Sequence, residues 1–88
     1  MKTYEFMVES SEELEVSGDG TVVEMENYHA NDEHQYDVVQ VTTVNPCETI
    51  RKIDSKGTVW KPADCFTECK SSYTGKDILS MDFWEEAK

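Results

Sequence analysis

The segment that decides the fold is YDVVQVTTVNPCETIRKIDSKGTVW, residues 36–60. From Val38 to Val44 it contains an almost unbroken run of β-branched residues, which favours an extended strand. Asn45-Pro46 and the DSKG sequence at residues 54–57 are turn signals. The segment therefore predicts three strands separated by two turns. Valine lies on both faces of the first of these strands, which is typical of a strand inside a sheet.

The N-terminal residues 2–9, KTYEFMVE, alternate strictly between two kinds of side chain. Tyr4, Phe6 and Val8 share one face, and this period of two predicts the buried side of a strand. The other face carries glutamates and predicts the solvent side. We therefore expect the first strand to cover the core next to the central segment.

Two further strands are predicted on either side of a tight turn. Leu14 and Val16 alternate with acidic residues, which predicts a short second strand. Gly18-Asp19-Gly20 follows, and its glycines supply the positive φ angles of a tight hairpin. Residues 21–28, TVVEMENY, then predict a returning strand, and the polar residues 29–35, HANDEHQ, predict a loop.

The C-terminal third is predicted to contain helix. Residues 61–66, KPADCF, have proline near their start and predict a single helical turn. In residues 77–87, DILSMDFWEEA, the first aspartate suits a helix N-cap, and Ile78, Met81 and Trp84 recur at helical spacing. The predicted fold class is α+β, mainly β: a small antiparallel sheet of five or six strands with one C-terminal helix.

The short strand at residues 58–60, the proline-led turn at Pro62 and the aromatic Phe66 together resemble the closing segment of SH3-like barrels. The resemblance covers a short part of the chain and implies that the sheet closes into a barrel. It brings no binding residues, because the aromatic ligand-binding pattern of SH3 domains is not visible in this sequence.

Length and composition predict a single domain over residues 1–88 with one modest core. No apolar run approaches the ~20 residues of a membrane helix, and the N-terminal stretch is charged where a signal peptide is apolar. The three cysteines are an odd number, which favours reduced thiols over a disulfide scaffold. These features predict a cytoplasmic protein that does not bind membranes.

A zinc site is the first chemical alternative. Its candidate ligands are Cys47, Cys65, Cys69, His29 and His34. The spacing lacks a C-x2-C knuckle, so partly buried free thiols are favoured, and a disulfide between two of the cysteines stays open. A cysteine nucleophile with a histidine base is disfavoured, because acidic neighbours favour the protonated forms of both groups. We therefore predict no enzyme, no catalytic residue, no metal and no cofactor.

Negative charge is concentrated in the first half of the chain. The formal net charge is −11, and residues 1–40 hold eleven of the nineteen acids but one of the eight bases, Lys2. Such a field repels nucleic acid and anionic lipid and attracts basic protein surfaces, including those that hold a phosphate backbone. A net charge of magnitude about 2–8 is enough for the solubility of a small domain, so the excess indicates a role in binding.

The acids are predicted to form one array on three neighbouring strands. Their alternation places them on the solvent faces of the first three strands, and further acids and a tyrosine lie at the loop tip. The predicted binding residues are Glu5, Glu9, Glu13, Glu15, Glu24, Glu26, Asp32, Glu33 and Tyr36. Same-face residues on a strand are about 6.8 Å apart, which is close to the spacing of phosphates along a nucleic-acid strand.

The leading hypothesis is a non-enzymatic inhibitor that occupies the basic nucleic-acid-binding groove of a protein partner and binds no nucleic acid itself. In size, charge and composition the chain resembles bacteriophage-encoded inhibitors, including the DNA-mimic proteins that counter restriction and CRISPR systems in the host cytoplasm. The alternative is an SH3-like interaction or structural module that binds through its aromatics, Trp60, Phe66, Tyr73 and Trp84. The sequence predicts neither the target nor the oligomeric state.

Overall fold

A computed structural model describes residues 1–31, 34–71 and 73–87, with all their side chains except those of residues 24–31, 34 and 35. Over this part of the chain the fold is mainly β, as predicted, with nine strands and one short helix. The strands are β1 (Lys2–Glu9), β2 (Glu13–Val16), β3 (Thr21–Asn31), β4 (His34–Thr43), β5 (Ile50–Ile53), β6 (Val59–Pro62), β7 (Phe66–Lys70), β8 (Asp77–Met81) and β9 (Trp84–Glu86). The helix α1 (Pro46–Thr49) connects β4 to β5.

The strands form two sheets rather than the single sheet of five or six strands expected from the sequence. The five-stranded sheet has the order β3-β4-β1-β8-β7, and the four-stranded sheet has the order β2-β5-β6-β9. Neighbouring strands are antiparallel except for β1 and β8, which run parallel. The described residues form no closed barrel, because each sheet ends in two strands that have a neighbour on one side only.

The core lies between the two sheets. Tyr4, Phe6 and Val8 of β1 alternate toward it as predicted, and each is at most 5% exposed. On the neighbouring strand β4, Val41 pairs with Tyr4 and Val39 pairs with Phe6, so these five side chains cover one face of the five-stranded sheet. A continuous apolar layer of this kind supplies most of the free energy of folding in a small domain.

The four-stranded sheet closes the core from the other side. Ile50 of β5 is fully buried, and Leu14, Val16 and Trp84 pack against the same cluster while staying partly exposed. The Trp84 ring meets the Phe6 ring edge-on, with 5.4 Å between the ring centroids. This contact ties β9, at one edge of the four-stranded sheet, to β1 in the middle of the five-stranded sheet.

Residues 36–60 fold largely as predicted. They contain most of β4, which lies inside its sheet, then α1, β5, a turn at residues 54–57 and the start of β6. Pro46 begins α1, a position where its missing N–H costs no helical hydrogen bond. α1 has four residues, and no helix in the described residues has the length and apolar character needed to cross a membrane.

The predicted C-terminal helix is wrong, because residues 77–87 contain β8 and β9 instead. Leu79 and Met81 alternate toward the core, and Met81 pairs with Phe66 on β7. A strand therefore satisfies both the burial and the backbone hydrogen bonds of this segment, and residues 82–83 separate it from β9. The tertiary environment overrides the local helical spacing.

The helical turn predicted at residues 61–66 is also wrong. β6 continues through Pro62, the chain bends at Asp64, and β7 begins at Phe66. Pro62 lies opposite Trp84 at the end of the β6–β9 pairing. Proline is tolerated there because the end of a ladder needs no further N–H donor.

The Gly18-Asp19-Gly20 turn forms, with Gly18 at a φ of 64°, but it does not close a hairpin. It carries the chain from β2 in the four-stranded sheet to β3 in the five-stranded sheet. The Asp19 carboxylate accepts hydrogen bonds from Thr43 Oγ1 (2.8 Å) and the Val44 N–H (3.2 Å), which fixes this crossing. The same bonds, the one from Thr43 first, lower the pKa of Asp19 below its ordinary value.

The loop predicted at residues 29–35 is largely strand. β3 extends to Asn31, and β4 begins at His34. The backbones of β3 and β4 pair as far as Asn31 and His34, with a register shift between Glu24 and Asn27. Residues 32–33 lie outside the described part of the chain.

Candidate functional site

The predicted array of glutamates on three neighbouring strands is wrong. β2 pairs with β5 in the four-stranded sheet, so it is a neighbour of neither β1 nor β3. Glu13 and Glu15 alternate with the core residues of β2 and are exposed on the outer face of the four-stranded sheet. Glu5 and Glu9 alternate with the core residues of β1 and lie on the outer face of the five-stranded sheet. The two pairs therefore lie on opposite sides of the core.

The other predicted binding residues belong to β3, β4 and the connection between them. The side chains of Glu24 and Glu26, and Asp32 and Glu33 as a whole, lie outside the described residues. Tyr36 is half-buried and pairs with Glu9 across β4 and β1. Of these five residues, Tyr36 is the one that the structure places beside another member of the predicted set.

Glu5 is a hydrogen-bond acceptor inside the fold. Its Oε2 accepts hydrogen bonds from Ser71 Oγ (2.7 Å) and Gln40 Nε2 (2.8 Å), and Oε1 takes part in neither. Gln40 also donates to Ser71 Oγ at 3.0 Å. Gln40 is 7% exposed and Ser71 is 1% exposed, so the chain after β7 covers this part of the outer face. Glu5 therefore holds that segment on the sheet and contributes little to an exposed array.

Carboxylates gather at one end of the two-sheet sandwich rather than on one face. β1 ends at Glu9, next to the pairing that brings Asp37 of β4 beside Val8. The turn after β1 then places Glu12 beside the same strand end, since Glu12 Oε1 accepts a hydrogen bond from the Glu9 N–H at 2.9 Å. Three acidic residues, Glu9, Glu12 and Asp37, therefore lie at the end of β1.

The four-stranded sheet adds two further acids at this end. Glu13 begins β2 and pairs with Ile53 at the end of β5, and Asp54 follows Ile53 directly. We call this region the acidic end; its residues are Glu9, Glu12, Glu13, Asp37 and Asp54. The two lysines in or next to it are Lys52 on β5 and Lys56 in the turn at residues 54–57.

Internal ion pairs neutralise little of this charge. Lys52 Nζ lies 3.3 Å from Glu12 Oε2 and 4.3 Å from the centroid of the Trp84 ring. Lys61 Nζ lies 3.4 Å from Glu85 Oε1, away from the acidic end. These are the two ion pairs among the described side chains. Of the other four acids, Glu9 and Glu13 are exposed and Asp37 and Asp54 are half-buried, and none of the four forms an ion pair with a described side chain.

Asp54 is the most firmly positioned carboxylate of the acidic end. It accepts hydrogen bonds from the N–H groups of Lys56 and Thr58, each at 2.9 Å, and from Trp60 Nε1 at 3.0 Å. These donors, Trp60 first, hold the pKa of Asp54 below its ordinary value. Asp54 is therefore ionised throughout the neutral range and fixed in position.

The aromatic residues of the alternative hypothesis do not all share one surface, although Tyr73 and Trp84 line the same cavity. Trp60 donates its ring N–H within the turn, Phe66 stacks on Tyr4 with 5.0 Å between the ring centroids, and Trp84 packs against the core. Tyr73 is 41% exposed, and the other three are half-buried. Three of these four aromatics are thus used in contacts inside the fold, and the contact of Trp84 with Phe6 joins the two sheets.

The three cysteines are free thiols. Cys47 Sγ donates to Asp64 Oδ1 at 3.3 Å, and burial first, with this carboxylate second, raises the pKa of Cys47. Cys69 lies on β7 and Cys65 directly before it, so the helical face that would have joined them does not form. Among the described side chains, which exclude both histidines, no three acidic, histidine or cysteine residues are arranged to hold a metal ion.

Two cavities lie close to acidic residues. One, of about 410 Å³, is lined by Glu5, Tyr73 and Asp82 together with residues of the core that include Phe6, Met81 and Trp84. The other, of about 300 Å³, lies between β2 and β3, where apolar residues of both sheets meet two acids of the acidic end. We call the second cavity the inter-sheet groove.

Sequence reasoning missed the acidic end because it depends on long-range pairing. Asp37 and Asp54 lie in different strands and turns, and Glu12 reaches Glu9 through a turn that the alternation pattern does not describe. The prediction for Glu5 failed for the same reason, because the contact between Gln40 and Ser71 that holds it joins residues 31 positions apart. The one local signal was the excess of acids in the first forty residues, which is a property of composition and not of position.

Comparisons with protein-family models, with curated proteins and with solved structures give no match for this chain. A function must therefore be argued from the arrangement of its own residues. Two features of that arrangement bear on binding: the acidic end and the inter-sheet groove next to it.

Proposed function

We propose that this chain is a non-enzymatic inhibitor whose acidic end binds the basic nucleic-acid-binding surface of another protein. The observation that carries the proposal is the gathering of Glu9, Glu12, Glu13, Asp37 and Asp54 at one end of a chain with a net charge of −11. The function is of the DNA-mimic type, and the targets that suit it are nucleic-acid enzymes of host defence, such as restriction or CRISPR effectors, met by a phage protein in the host cytoplasm.

In this mechanism the carboxylates replace backbone phosphates in the partner's groove. Their unbalanced field speeds the encounter with a basic surface, and the effect weakens with salt because the Debye length is only about 8 Å at 0.15 M. Asp54 is held by three donors, and Glu12 by the Glu9 N–H. Charges that are already fixed lose little conformational entropy on binding.

The proposed surface revises the set of binding residues derived from the sequence. Glu9 and Glu13 belong to it, Tyr36 pairs with Glu9 beside it, and Glu5 is tied instead to Gln40 and Ser71. Glu15 lies further along β2 on the outer face of the four-stranded sheet. Four acids of the predicted set stay predictions: Glu24, Glu26, Asp32 and Glu33. Glu24 and Glu26 belong to β3, which pairs with β4 up to Asn31 and His34, and Asp32 and Glu33 lie outside the described residues.

The test begins with capture of a target. The immobilised chain is exposed to a nuclease-treated bacterial lysate at about 50 mM and about 500 mM salt, and the captured protein is purified. We expect capture at the lower salt concentration and loss at the higher. Added chain should then displace a DNA duplex from the captured protein. Affinity that is the same at both salt concentrations, or a captured protein that binds DNA and this chain together, would contradict the proposal.

A matched pair of charge reversals locates the surface. Glu9→Lys combined with Glu13→Lys should weaken binding at least about tenfold, because it replaces two exposed carboxylates of the acidic end. Glu48→Lys combined with Glu68→Lys changes the net charge equally, but Glu48 lies in α1 and Glu68 lines a cavity with Met1 and Lys2 at the other end. The control pair should change affinity less than about threefold. Equal losses of affinity would show that binding depends on the net charge of the chain and not on the acidic end.

A further inference from the structure

The inter-sheet groove is an opening of the core between two strands. β2 is an edge of the four-stranded sheet, β3 is an edge of the five-stranded sheet, and the groove of about 300 Å³ lies between them. Its apolar lining consists of Val8, Leu14, Val16, Val22 and Val39. This volume is at the lower end of the roughly 300–1,000 Å³ of ligand pockets, so it has room for a small apolar group.

The wall of the groove on β3 is unusually exposed for an apolar strand edge. Val22 is 43% exposed and lines the groove, and Val23, its neighbour on the opposite face, is 52% exposed. Edge strands normally carry charge or proline where they could pair with another chain. β3 contains Glu24 and Glu26 and a register shift after Glu24, but its uncharged beginning, Thr21 to Val23, lies beside the open apolar groove, and this part of the edge fits the addition of an extended segment from a partner.

The charge of the groove lining determines which kind of partner segment the groove can bind. Among the residues whose side chains are described, the polar members of the groove lining are Glu12 and Asp37, and no lysine, arginine or histidine takes part in it. Glu12 is paired with Lys52, whereas Asp37 forms no ion pair with any described side chain. A second copy of this chain would bring another net charge of −11 to the same place, and anionic lipid would be repelled as well. The complementary occupant is a basic segment with an apolar side chain.

We infer that the inter-sheet groove binds an extended, lysine- or arginine-bearing segment of the protein partner, with an apolar side chain in the groove and basic neighbours beside Glu12 and Asp37. The inference rests on the proposed function and deepens it. The acidic end attracts the partner, and the groove holds it, since buried apolar anchors mainly set the rate of dissociation.

Two synthetic peptides provide the probe. One has the sequence Lys-Leu-Lys-Leu-Lys and the other has Lys-Ser-Lys-Ser-Lys, both with blocked ends, and each is titrated into the isotope-labelled chain while its amide spectrum is recorded. The leucine peptide should bind about tenfold more tightly than the serine peptide, because it alone places an apolar side chain in the groove. Its largest shifts should fall on β2 and β3. Equal affinities, or shifts confined to other strands, would overturn the inference.

Adjacent valines give a matched pair of variants. Val22→Gln should lower the affinity for the leucine peptide to that for the serine peptide, while Val23→Gln should change it less than about twofold, because Val23 lies on the other face of β3. The amide spectrum reports whether each variant is folded. Equal effects of the two substitutions would overturn the inference, as would a dimer of the wild-type chain that Val22→Gln dissociates.

The two proposals fail in different ways. If both peptides bind at the acidic end with equal, salt-sensitive affinity, the proposed function stands and the groove inference is wrong. If the leucine peptide binds in the groove with an affinity that salt does not change, the groove is an apolar peptide site, and both the contribution of Glu12 and Asp37 and the electrostatic function are wrong. The Glu9→Lys and Glu13→Lys pair and the Val22→Gln variant thus report on separate steps.

Discussion

The five-stranded and four-stranded sheets are buried to different extents, although they share one core. In the five-stranded sheet Val41 is fully buried and Phe6 is 5% exposed, whereas Leu14 and Val16 of the four-stranded sheet stay partly exposed. The five-stranded sheet also has buried residues on its outer face, where Val38 is 3% exposed. The outer face of the four-stranded sheet has Glu13 and Glu15 exposed on β2, beside the half-buried Arg51 and Ile53 of β5.

The difference assigns separate tasks to the two sheets. The five-stranded sheet has buried residues on both faces of its inner strand β4, and it is therefore expected to set the stability of this small domain. The other sheet covers the core with one face and leaves its second face and its edge β2 free for charge. The acidic end and the inter-sheet groove both lie where the two sheets meet, so their geometry depends on how firmly the weaker sheet is held.

A matched pair of valine truncations tests this comparison with the largest expected effect. Val41→Ala should lower the free energy of unfolding by about 2–3 kcal/mol, because the removed methyl groups are fully buried and leave a cavity. Val16→Ala removes the same atoms from a partly exposed site and should cost about 1 kcal/mol. Urea unfolding gives both values. Equal losses would show that the two sheets contribute alike.

The second test concerns the outer faces. Gln40→Leu removes one donor to Glu5 and one to Ser71 from a site that is 7% exposed, and should lower the free energy of unfolding by about 1–2 kcal/mol. Glu15→Gln, on the exposed outer face of the four-stranded sheet, should change it by less than about 0.5 kcal/mol. The same urea titration measures both. A loss from Glu15→Gln as large as that from Gln40→Leu would remove the distinction between the faces.

What could be predicted from the sequence was set by local patterns. β1 is confirmed from Lys2 to Glu9, with the expected buried face, because a period of two depends only on neighbouring residues. The turn at residues 54–57 forms with Gly57 at a φ of 84°. In these segments the alternation and the turn residues agree with the final packing, so no long-range information was needed.

The C-terminal segment shows where local patterns fail. The spacing of Ile78, Met81 and Trp84 fits a helix, but it equally fits a strand followed by a break and a second strand. The choice is made by Phe66, which packs on Tyr4 and brings β7 into position to pair with β8. That contact joins residues far apart in the sequence, and nothing within residues 77–87 reports it.

The prediction of how the acids are arranged failed for a related reason. Alternation predicted correctly that Glu13 and Glu15 point away from the core, but it cannot show which sheet a strand joins. The Gly18-Asp19-Gly20 turn was expected to close a hairpin, and it instead crosses between sheets, held by Thr43. One strand placed in the other sheet moves two glutamates to the opposite side of the molecule.

The prediction with the smallest expected effect compares how the two sheets respond to acid. The folded-state pKa of Asp54 is depressed below its unfolded value of about 3.9, so its stabilising contribution is complete above that value and is lost as the pH falls toward the folded pKa. Because Asp54 holds the turn between β5 and β6, amide exchange there, expressed relative to the intrinsic exchange rate at each pH, should speed up first when the pH falls from about 6 to about 3, while β1 and β4 stay protected. In Asp54→Asn the turn should already exchange faster at neutral pH and respond less to acid. Relative exchange that rises equally in both sheets would mean that the four-stranded sheet does not open on its own. The two sheets would then unfold as a single cooperative unit.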